Sequence, residues 1–149
     1  MFMERTFVML KPGVLQRRIV GEVLSRFERK GLKILALKLV RMDQSMVEAH
    51  YAEHKGKDFY DKLVSYTLSG PVAAMILEGE EAIAAVRRLV GPTDIHNSQP
   101  GTIRGDFAYR TRLNIVHASD STASAEREIA LFFKPQEVIE WEDGNAQWY

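Results

Sequence analysis

Residues 114–121 read Asn-Ile-Val-His-Ala-Ser-Asp-Ser, and no other stretch of the chain carries as much information. The residues up to His117 favour a short strand, and the small polar residues after it favour the start of a helix. The pattern therefore predicts an imidazole at a strand end. An imidazole has a reference pKa of about 6.5, so near neutral pH it is largely unprotonated and can attack without a separate base. His117 is the candidate nucleophile.

The segments on either side of this stretch predict the remaining secondary structure. Apolar alternation and continuous apolar runs predict strands at 5–10, 33–41, 72–77 and 114–117. Helical spacing and caps predict helices that begin near residue 15, at a capping box in 45–48, and near residues 59, 80 and 122. With the paired central helices counted as one insertion, the order is βαββαβ. This order is typical of an α+β, ferredoxin-like sandwich with helices packed on a four-stranded antiparallel sheet.

Two regions fall outside this pattern. Residues 91–113 show little periodicity and contain several prolines and glycines, as expected for a long functional loop. Residues 137–149 form an acidic and aromatic tail. We expect the helices to cover one face of the sheet, and either a partner or these remaining segments to cover the other face.

The composition limits the class of protein. A chain of 149 residues with 46% hydrophobic and 27% charged residues is typical of one soluble domain, here 1–149. Twenty basic and twenty acidic side chains leave no net charge, which argues against a nucleic-acid or anionic-membrane partner. The lack of cysteine excludes disulfides and is typical of the cytosol, and no apolar run is long enough to span a membrane. We therefore predict a cytoplasmic protein.

Several side chains near the predicted strand ends are suited to binding phosphate. Arginine offers paired donors to phosphate oxygens, lysine adds a point charge, and hydroxyls donate hydrogen bonds. The residues of this kind are Lys11, Tyr51, Arg87, Thr93 and Arg104. Glu128, in the helix after His117, could hold one ring nitrogen and leave the other to attack. With this set, His117 is predicted to accept a phosphoryl group, although an arginine such as Arg87, taken alone, is more often part of the solvated face of a helix.

The other three histidines show no comparable pattern. His50, His54 and His96 have no evident partner in the sequence. His50 and His54 are spaced as metal ligands on a helix sometimes are, but no third ligand lies nearby. We predict no protein ligand for a metal ion.

Taken together and in order, these motifs resemble those of nucleoside diphosphate kinases. The similarity extends over residues 6–132. Its most specific segments are Phe-Val-Met-Leu-Lys-Pro at 7–12, His-Tyr at 50–51, Ser-Gly-Pro-Val at 69–72, Pro-Gly-Thr-Ile-Arg-Gly-Asp-Phe at 100–107, and the stretch 114–121.

The resemblance implies a ping-pong reaction in which the γ-phosphate of a nucleoside triphosphate passes through a phosphohistidine at His117, oriented by Glu128, to a nucleoside diphosphate. It implies that the nucleotide is bound by Lys11 and Asn114 at the ribose, Arg87 and Thr93 at the middle phosphate, Arg104 and Tyr51 at the transferred group, and Phe59 with Leu63 at the base. Stacking on an aromatic ring tolerates different bases, so broad nucleotide use is expected. The implied cofactor is Mg²⁺, held mainly by the nucleotide.

The sequence departs from the family pattern in a few places. Gly13-Val14 stands where the family usually has Asp-Gly, which alters the turn after Lys11. Asp94-Ile95 stands where the family usually has Asn-Pro, in a loop that often makes subunit contacts. Changes at 111–113 and Ala118 are milder. A homo-oligomer is expected, with a hexamer favoured and a tetramer or smaller assembly left open.

Two alternative functions stay open at this point. The altered turn could leave a nucleotide-binding or protein-interaction module without turnover, and the same fold could bind nucleic acid through its sheet. The presence of every candidate residue together favours the kinase.

Overall fold

The computed structural model describes residues 3–149. The strands are β1 (Met3–Leu10), β2 (Lys33–Val40), β3 (Val72–Glu80) and β4 (Val116–Ala118). The α-helices are α1 (Val20–Arg29), α2 (Gln44–His50), α3 (Tyr60–Leu68), α4 (Ala82–Val90), α5 (Ile103–Phe107) and α6 (Thr122–Phe132). Short 3₁₀ turns occupy Ala52–His54, Ile95–Asn97, Thr111–Leu113, Pro135–Glu137 and Ala146–Trp148.

The four strands form one antiparallel sheet in the order β2-β3-β1-β4. This order confirms the predicted ferredoxin-like arrangement. The two central strands are the most apolar, and residues 72–77 of β3 are fully buried. β4 lies at one edge beside β1, with His117 opposite Met9.

The side chains of β1 alternate between two hydrophobic clusters, one on each face of the sheet. Val8 and Leu10 pack with the inner faces of α1 and α4. Phe7 and Met9 pack with side chains from α2, α3 and α6. Helices of the chain therefore cover both faces of the sheet, and the expectation that helices cover only one face is wrong.

Several boundaries predicted from the sequence are wrong. The strand predicted at 114–117 is β4, which spans Val116–Ala118, because Ile115 has a φ of +62° that strand backbone does not adopt. Helix α1 begins at Val20 rather than near residue 15, because Arg18 has a φ of +57° that a right-handed helix cannot contain. The N-cap of α2 is Asp43, whose carboxylate accepts the Met46 N–H at 2.9 Å, and not Ser45. The segment 91–113 contains α5, which is too short to show a hydrophobic period.

The tail packs along β2 of its own chain. The Ile139 N–H donates to the Leu35 carbonyl at 2.9 Å, and the Trp141 indole N–H donates to the Ile34 carbonyl at 2.9 Å. The Tyr149 ring lies against Gly31, where a Cβ atom would be 2.7 Å from it. Within residues 3–149, no helix is both long enough and apolar enough to cross a membrane.

Candidate active site

The centre of the site is a hydrogen-bonded chain of three side chains. Nε2 of His117 lies 2.7 Å from Oε2 of Glu128, and the Ser119 hydroxyl donates to Oε1 of the same carboxylate at 2.7 Å. Ser119 and Glu128 are buried, whereas the His117 side chain keeps 22% of its surface exposed. One ring nitrogen is thus fixed by a buried carboxylate, and the ring still reaches the surface.

The local sequence explains why these groups meet. His117 lies in β4, and Ser119 follows the strand by one residue, where its N–H donates to the Phe7 carbonyl of β1 at 3.1 Å. This bond continues the pairing with β1, so the two side chains point to the same side. The Ser121 hydroxyl accepts the Ser124 N–H and caps α6, so the helix begins immediately after the strand. Glu128 lies on the buried stripe of that helix between Ala125 and Phe132. The Glu128 carboxylate is tolerated on this apolar stripe because it accepts hydrogen bonds from His117 and Ser119.

Two side chains from α2 and its C-terminus complete the inner wall. The His50 ring is 4.6 Å from the His117 ring, centroid to centroid, and edge-on to it; the Tyr51 ring is 6.4 Å from His117. Burial lowers the pKa of His50 to about 2, helped by the charges of His117 and Arg127, so this ring is neutral. Burial raises the pKa of Tyr51 to about 12, which keeps its hydroxyl protonated.

Lys11 and Asn114 meet where β1 ends and β4 begins. The Lys11 ammonium donates to the Asn114 side-chain oxygen at 2.8 Å, and the Lys11 N–H donates to the Ile115 carbonyl at 2.8 Å. Burial, with a smaller contribution from Arg104, lowers the pKa of Lys11 to about 7. The structure thus pairs the two residues predicted for the ribose, and it holds the lysine close to its titration point.

Arg104 is more deeply involved in the fold than the sequence indicated. Its guanidinium donates to the carbonyl oxygens of Val116 at 2.6 Å, Gly91 at 2.9 Å and Asn114 at 3.3 Å. Three of its five N–H groups are therefore used by the backbone, and two are left for a ligand. Burial lowers its pKa to about 10, which still leaves it charged near neutral pH.

Arg87 and Thr93 lie at the outer edge of the site. Arg87 is exposed on α4, but its guanidinium donates to the Ala118 carbonyl at 3.1 Å and is therefore held beside β4. Thr93 is exposed in the loop after α4, and none of the side-chain hydrogen bonds among residues 3–149 involves it. The structure brings Arg87 to the nucleophile and leaves Thr93 on the surface.

The side chains predicted for the base lie at the start of α3 and within it. Phe59 precedes the helix and is 48% exposed, while Leu63 is partly buried against the core. The same helix and residues 112–113 line a cleft of about 380 Å³. A second cleft of about 640 Å³ lies between β1, α6 and the tail, and none of the predicted site residues lines it.

Comparison with known proteins identifies the family. The family model described as nucleoside diphosphate kinase matches residues 4–138. The chain belongs to the nucleoside diphosphate kinase family. It is 60% identical over 149 residues to a nucleoside diphosphate kinase of Treponema pallidum, with complete coverage of both chains. It is 56% identical over 146 residues to that of Archaeoglobus fulgidus, which covers 98% of this chain and 97% of the relative.

Solved structures agree with the family. A halophilic nucleoside diphosphate kinase from Halobacterium salinarum, in complex with CDP, matches with a TM-score of 0.96 at 46% identity and covers 99% of this chain and 98% of its own. An Aquifex aeolicus nucleoside diphosphate kinase matches with a TM-score of 0.90 at 38% identity, and the match covers 93% of this chain and 100% of the Aquifex chain. The predicted family, fold and enzyme class are confirmed: the chain has nucleoside diphosphate kinase function, a phosphotransferase activity on nucleoside phosphates.

Sequence reasoning missed two residues of this nucleoside diphosphate kinase site. Ser119 could have been found, because it shares a strand face with His117. The sequence shows no partner for His50, because its place beside His117 depends on the packing of α2 against α6. No local pattern encodes that contact.

Proposed function

We propose that the chain transfers γ-phosphates by a ping-pong reaction in which His117 is the covalent carrier. The observation that supports this proposal is the 2.7 Å contact between Nε2 of His117 and Glu128. When a carboxylate accepts the Nε2 proton, the lone pair of the ring is on Nδ1. Nδ1 is then the nucleophile, and no separate base is needed.

The reaction balances without any further reactant. In the first half, a bond forms between Nδ1 and the γ-phosphorus as the bond from that phosphorus to the bridging oxygen breaks, and a nucleoside diphosphate leaves. The second half is the reverse, with another nucleoside diphosphate as acceptor. The positive charge that develops on the ring is stabilised by buried Glu128, which Ser119 keeps in position.

The remaining predicted residues are proposed to bind the nucleotide. Arg104, through its two unused N–H groups, and the protonated Tyr51 hydroxyl would donate to the transferred group. Arg87 and Thr93 would bind the middle phosphate, and Lys11 with Asn114 the ribose. Phe59 and Leu63 would contact the base; the related Halobacterium salinarum structure contains CDP, and we propose that nucleoside diphosphates bind here as well.

A divalent cation is generally required for phosphoryl transfer from nucleotides. We propose Mg²⁺, brought in by the phosphates, where it would neutralise their charge. The donor set fits this assignment, because the buried carboxylate of the site, Glu128, already accepts two hydrogen bonds. The arginine and lysine side chains around it are suited to phosphate and not to a cation.

The decisive experiment is to incubate purified protein with γ-labelled ATP and Mg²⁺, isolate it, and test for acid-labile, base-stable label. The label is expected on the wild type and on His96→Ala, a surface histidine control, and not on His117→Ala. A GDP chase should move the label to GTP. If ATP binds but no label forms, the chain is a binding module that has lost turnover.

We also propose one domain over 1–149 and a homo-oligomer, with a hexamer favoured over a tetramer or smaller assembly. The exposed apolar side chains of β2, Leu37 and Leu39, support an interface, and the bonds from the tail to β2 support a single domain. Light scattering coupled to size exclusion would give the subunit number. The cytoplasmic location stays a prediction from the cysteine-free sequence.

A further inference from the structure

We propose that His50, His117 and Glu128 form a binding site for a borderline-soft divalent cation such as Zn²⁺, and that the bound cation inhibits phosphoryl transfer. The site lies within the pocket of the nucleophile but is separate from any Mg²⁺ carried by the nucleotide. The binding part stands on geometry alone, and only the inhibition rests on the proposed role of His117.

The three side chains have the geometry of a small metal site. Each offers one ligand atom, and these atoms all lie within 4.8 Å of one another. In a tetrahedral zinc site, ligand atoms about 2.1 Å from the ion are about 3.4 Å apart. The ion would replace the 2.7 Å hydrogen bond between Nε2 of His117 and Oε2 of Glu128, and both atoms would bind it instead. Among residues 3–149, this is the one cluster of three such donors.

A second observation points to a missing ligand. His50 is only 2% exposed, and neither of its ring nitrogens has a hydrogen-bond partner in the described chain. Buried polar atoms are almost always paired, so an unpaired imidazole beside His117 requires an explanation. A cation bound between the two rings would provide it. Ser119 would hold the ligating carboxylate from behind, as outer hydrogen bonds do in metal sites.

The donor chemistry selects the class of cation. Two imidazoles and one carboxylate are typical of zinc, cobalt and related transition metals. Mg²⁺ requires oxygen ligands in near-octahedral geometry and keeps most of its water, so it would not compete well for this set. The fourth position would be taken by water, as in other three-ligand zinc sites.

Binding of this cation and acceptance of a phosphoryl group are mutually exclusive. A cation that binds Nε2 of His117 takes the lone pair of that nitrogen, so Nε2 no longer carries a proton. The single proton of the neutral ring is then on Nδ1. The nitrogen that should attack phosphorus has lost its lone pair. No bond is broken and no other reactant is needed, so removal of the cation restores the nucleophile.

Direct binding is tested on the full chain without nucleotide or Mg²⁺. Co²⁺, a spectroscopic substitute for Zn²⁺, is expected to give the visible absorption of tetrahedral coordination at one ion per chain, and Zn²⁺ should displace it. His50→Phe and Glu128→Gln should weaken Co²⁺ binding by at least about tenfold. His54→Gln and His96→Gln are controls that keep the bands. Bands that persist in either ligand variant, or no bands in the wild type, would overturn the site.

The substitutions at His50 and Glu128 are chosen to preserve the fold, so that a loss of Co²⁺ binding reports the loss of a ligand and not misfolding. His50→Phe places an aromatic ring among Phe7, Tyr51 and Phe132, and Glu128→Gln conserves volume. Circular dichroism confirms the fold of each. Either variant alone is sufficient to test the loss of binding.

The inhibition is tested by adding Zn²⁺ before labelled ATP. Labelling of the wild type should fall at least tenfold and return with a chelator that prefers Zn²⁺ to Mg²⁺, while His50→Phe should label equally with and without Zn²⁺. Equal inhibition of His50→Phe would overturn the inference. If Co²⁺ binds and the wild type never becomes labelled, the proposed function fails and the metal site stands. If the protein labels but binds no Co²⁺, the metal site alone fails.

Discussion

The reactive end of the site and its base-binding end differ in how much of their geometry the chain fixes by itself. At the reactive end, Glu128 and Ser119 are buried. One hydrogen bond of 2.7 Å joins the His117 ring to Glu128, and a second of 2.7 Å joins Ser119 to the same carboxylate. At the base end, the Phe59 side chain is about half exposed. The first is part of the core, and the second is an open surface beside it.

This difference matches what each end has to do. Donors and charges that are already in place require no reorganisation when charge develops in the transition state. A base needs only a flat apolar ring to stack on, and an exposed ring accepts purines and pyrimidines alike. We therefore expect substitutions at the reactive end to lower kcat, and substitutions at the base end to raise KM.

The largest effect in this comparison is expected for Glu128→Ala. Without the carboxylate, the imidazole can adopt the wrong tautomer, as happens in other enzymes when the carboxylate that orients a histidine is removed. The variant should therefore lower kcat by about 10²-fold or more. The loss should remain smaller than for His117→Ala. Steady-state rates with ATP and GDP measure it, and Ser119→Ala, which removes one bond to the same carboxylate, is the graded control. An unchanged rate would show that Glu128 does not orient the nucleophile.

A smaller effect is expected for Phe59→Ala. Base stacking contributes about 1–3 kcal/mol, so KM should rise at least about tenfold while kcat changes little. Phe59→Trp keeps the stacking surface and should retain the wild-type KM. Because the side chain is exposed, thermal stability should be the same in all three proteins. A fall in kcat without a change in KM would mean that the base end takes part in fixing the reactive geometry.

Lys11 lies between the two ends and gives a prediction on protons. Burial lowers its pKa to about 7, so at pH 8 the free protein carries it mostly neutral. An anionic nucleotide favours the charged form. Binding at pH 8 should therefore take up a fraction of a proton, which calorimetry in two buffers of different ionisation enthalpy measures. Lys11→Met should abolish the uptake; an unchanged uptake would assign it to another group.

The same shift has a consequence for stability. Between pH 7 and the ordinary lysine pKa of 10.5, the unfolded chain binds more protons at Lys11 than the folded chain does. Its contribution to the free energy of unfolding therefore rises with pH across that window and is constant below it.

The sequence predicted strands β1, β2 and β3 closely, because each is a continuous or alternating apolar run. Residues 72–77 lie within β3, and the order of elements alone leads to the observed sheet. Helix α1 was extended too far because the apolar spacing continues through Leu15, whereas the backbone at Arg18 turns left-handed. The spacing of apolar residues indicates which side chains are buried, but it does not indicate the φ angle of a polar residue between them.

The site divides in the same way. The pairing of His117 with Glu128 could be predicted, because a strand followed at once by a helix returns the helix along the strand. The contacts of Arg104 with three carbonyl oxygens could not, since they depend on how α5 packs against β4. Contacts between residues that are close in the sequence can be predicted from it, whereas contacts between distant elements depend on how the whole chain folds.

The smallest effect on activity is expected when the turn after Lys11 is changed to the common family residues, Gly13→Asp with Val14→Gly. Val14 is fully buried in the core, and its loss should cost about 3 kcal/mol and lower Tm by about 10 °C. Gly13 has a φ of +99°, which strains an aspartate. Rates should change less than about twofold, because two hydrogen bonds to residues 114–115 hold Lys11 independently of the turn. Val14→Ala alone, followed by thermal melting and kinetics, separates the cavity from the strain. If the double variant instead lost activity at an unchanged Tm, the turn itself would present Lys11, and the reactive end would depend on a surface loop.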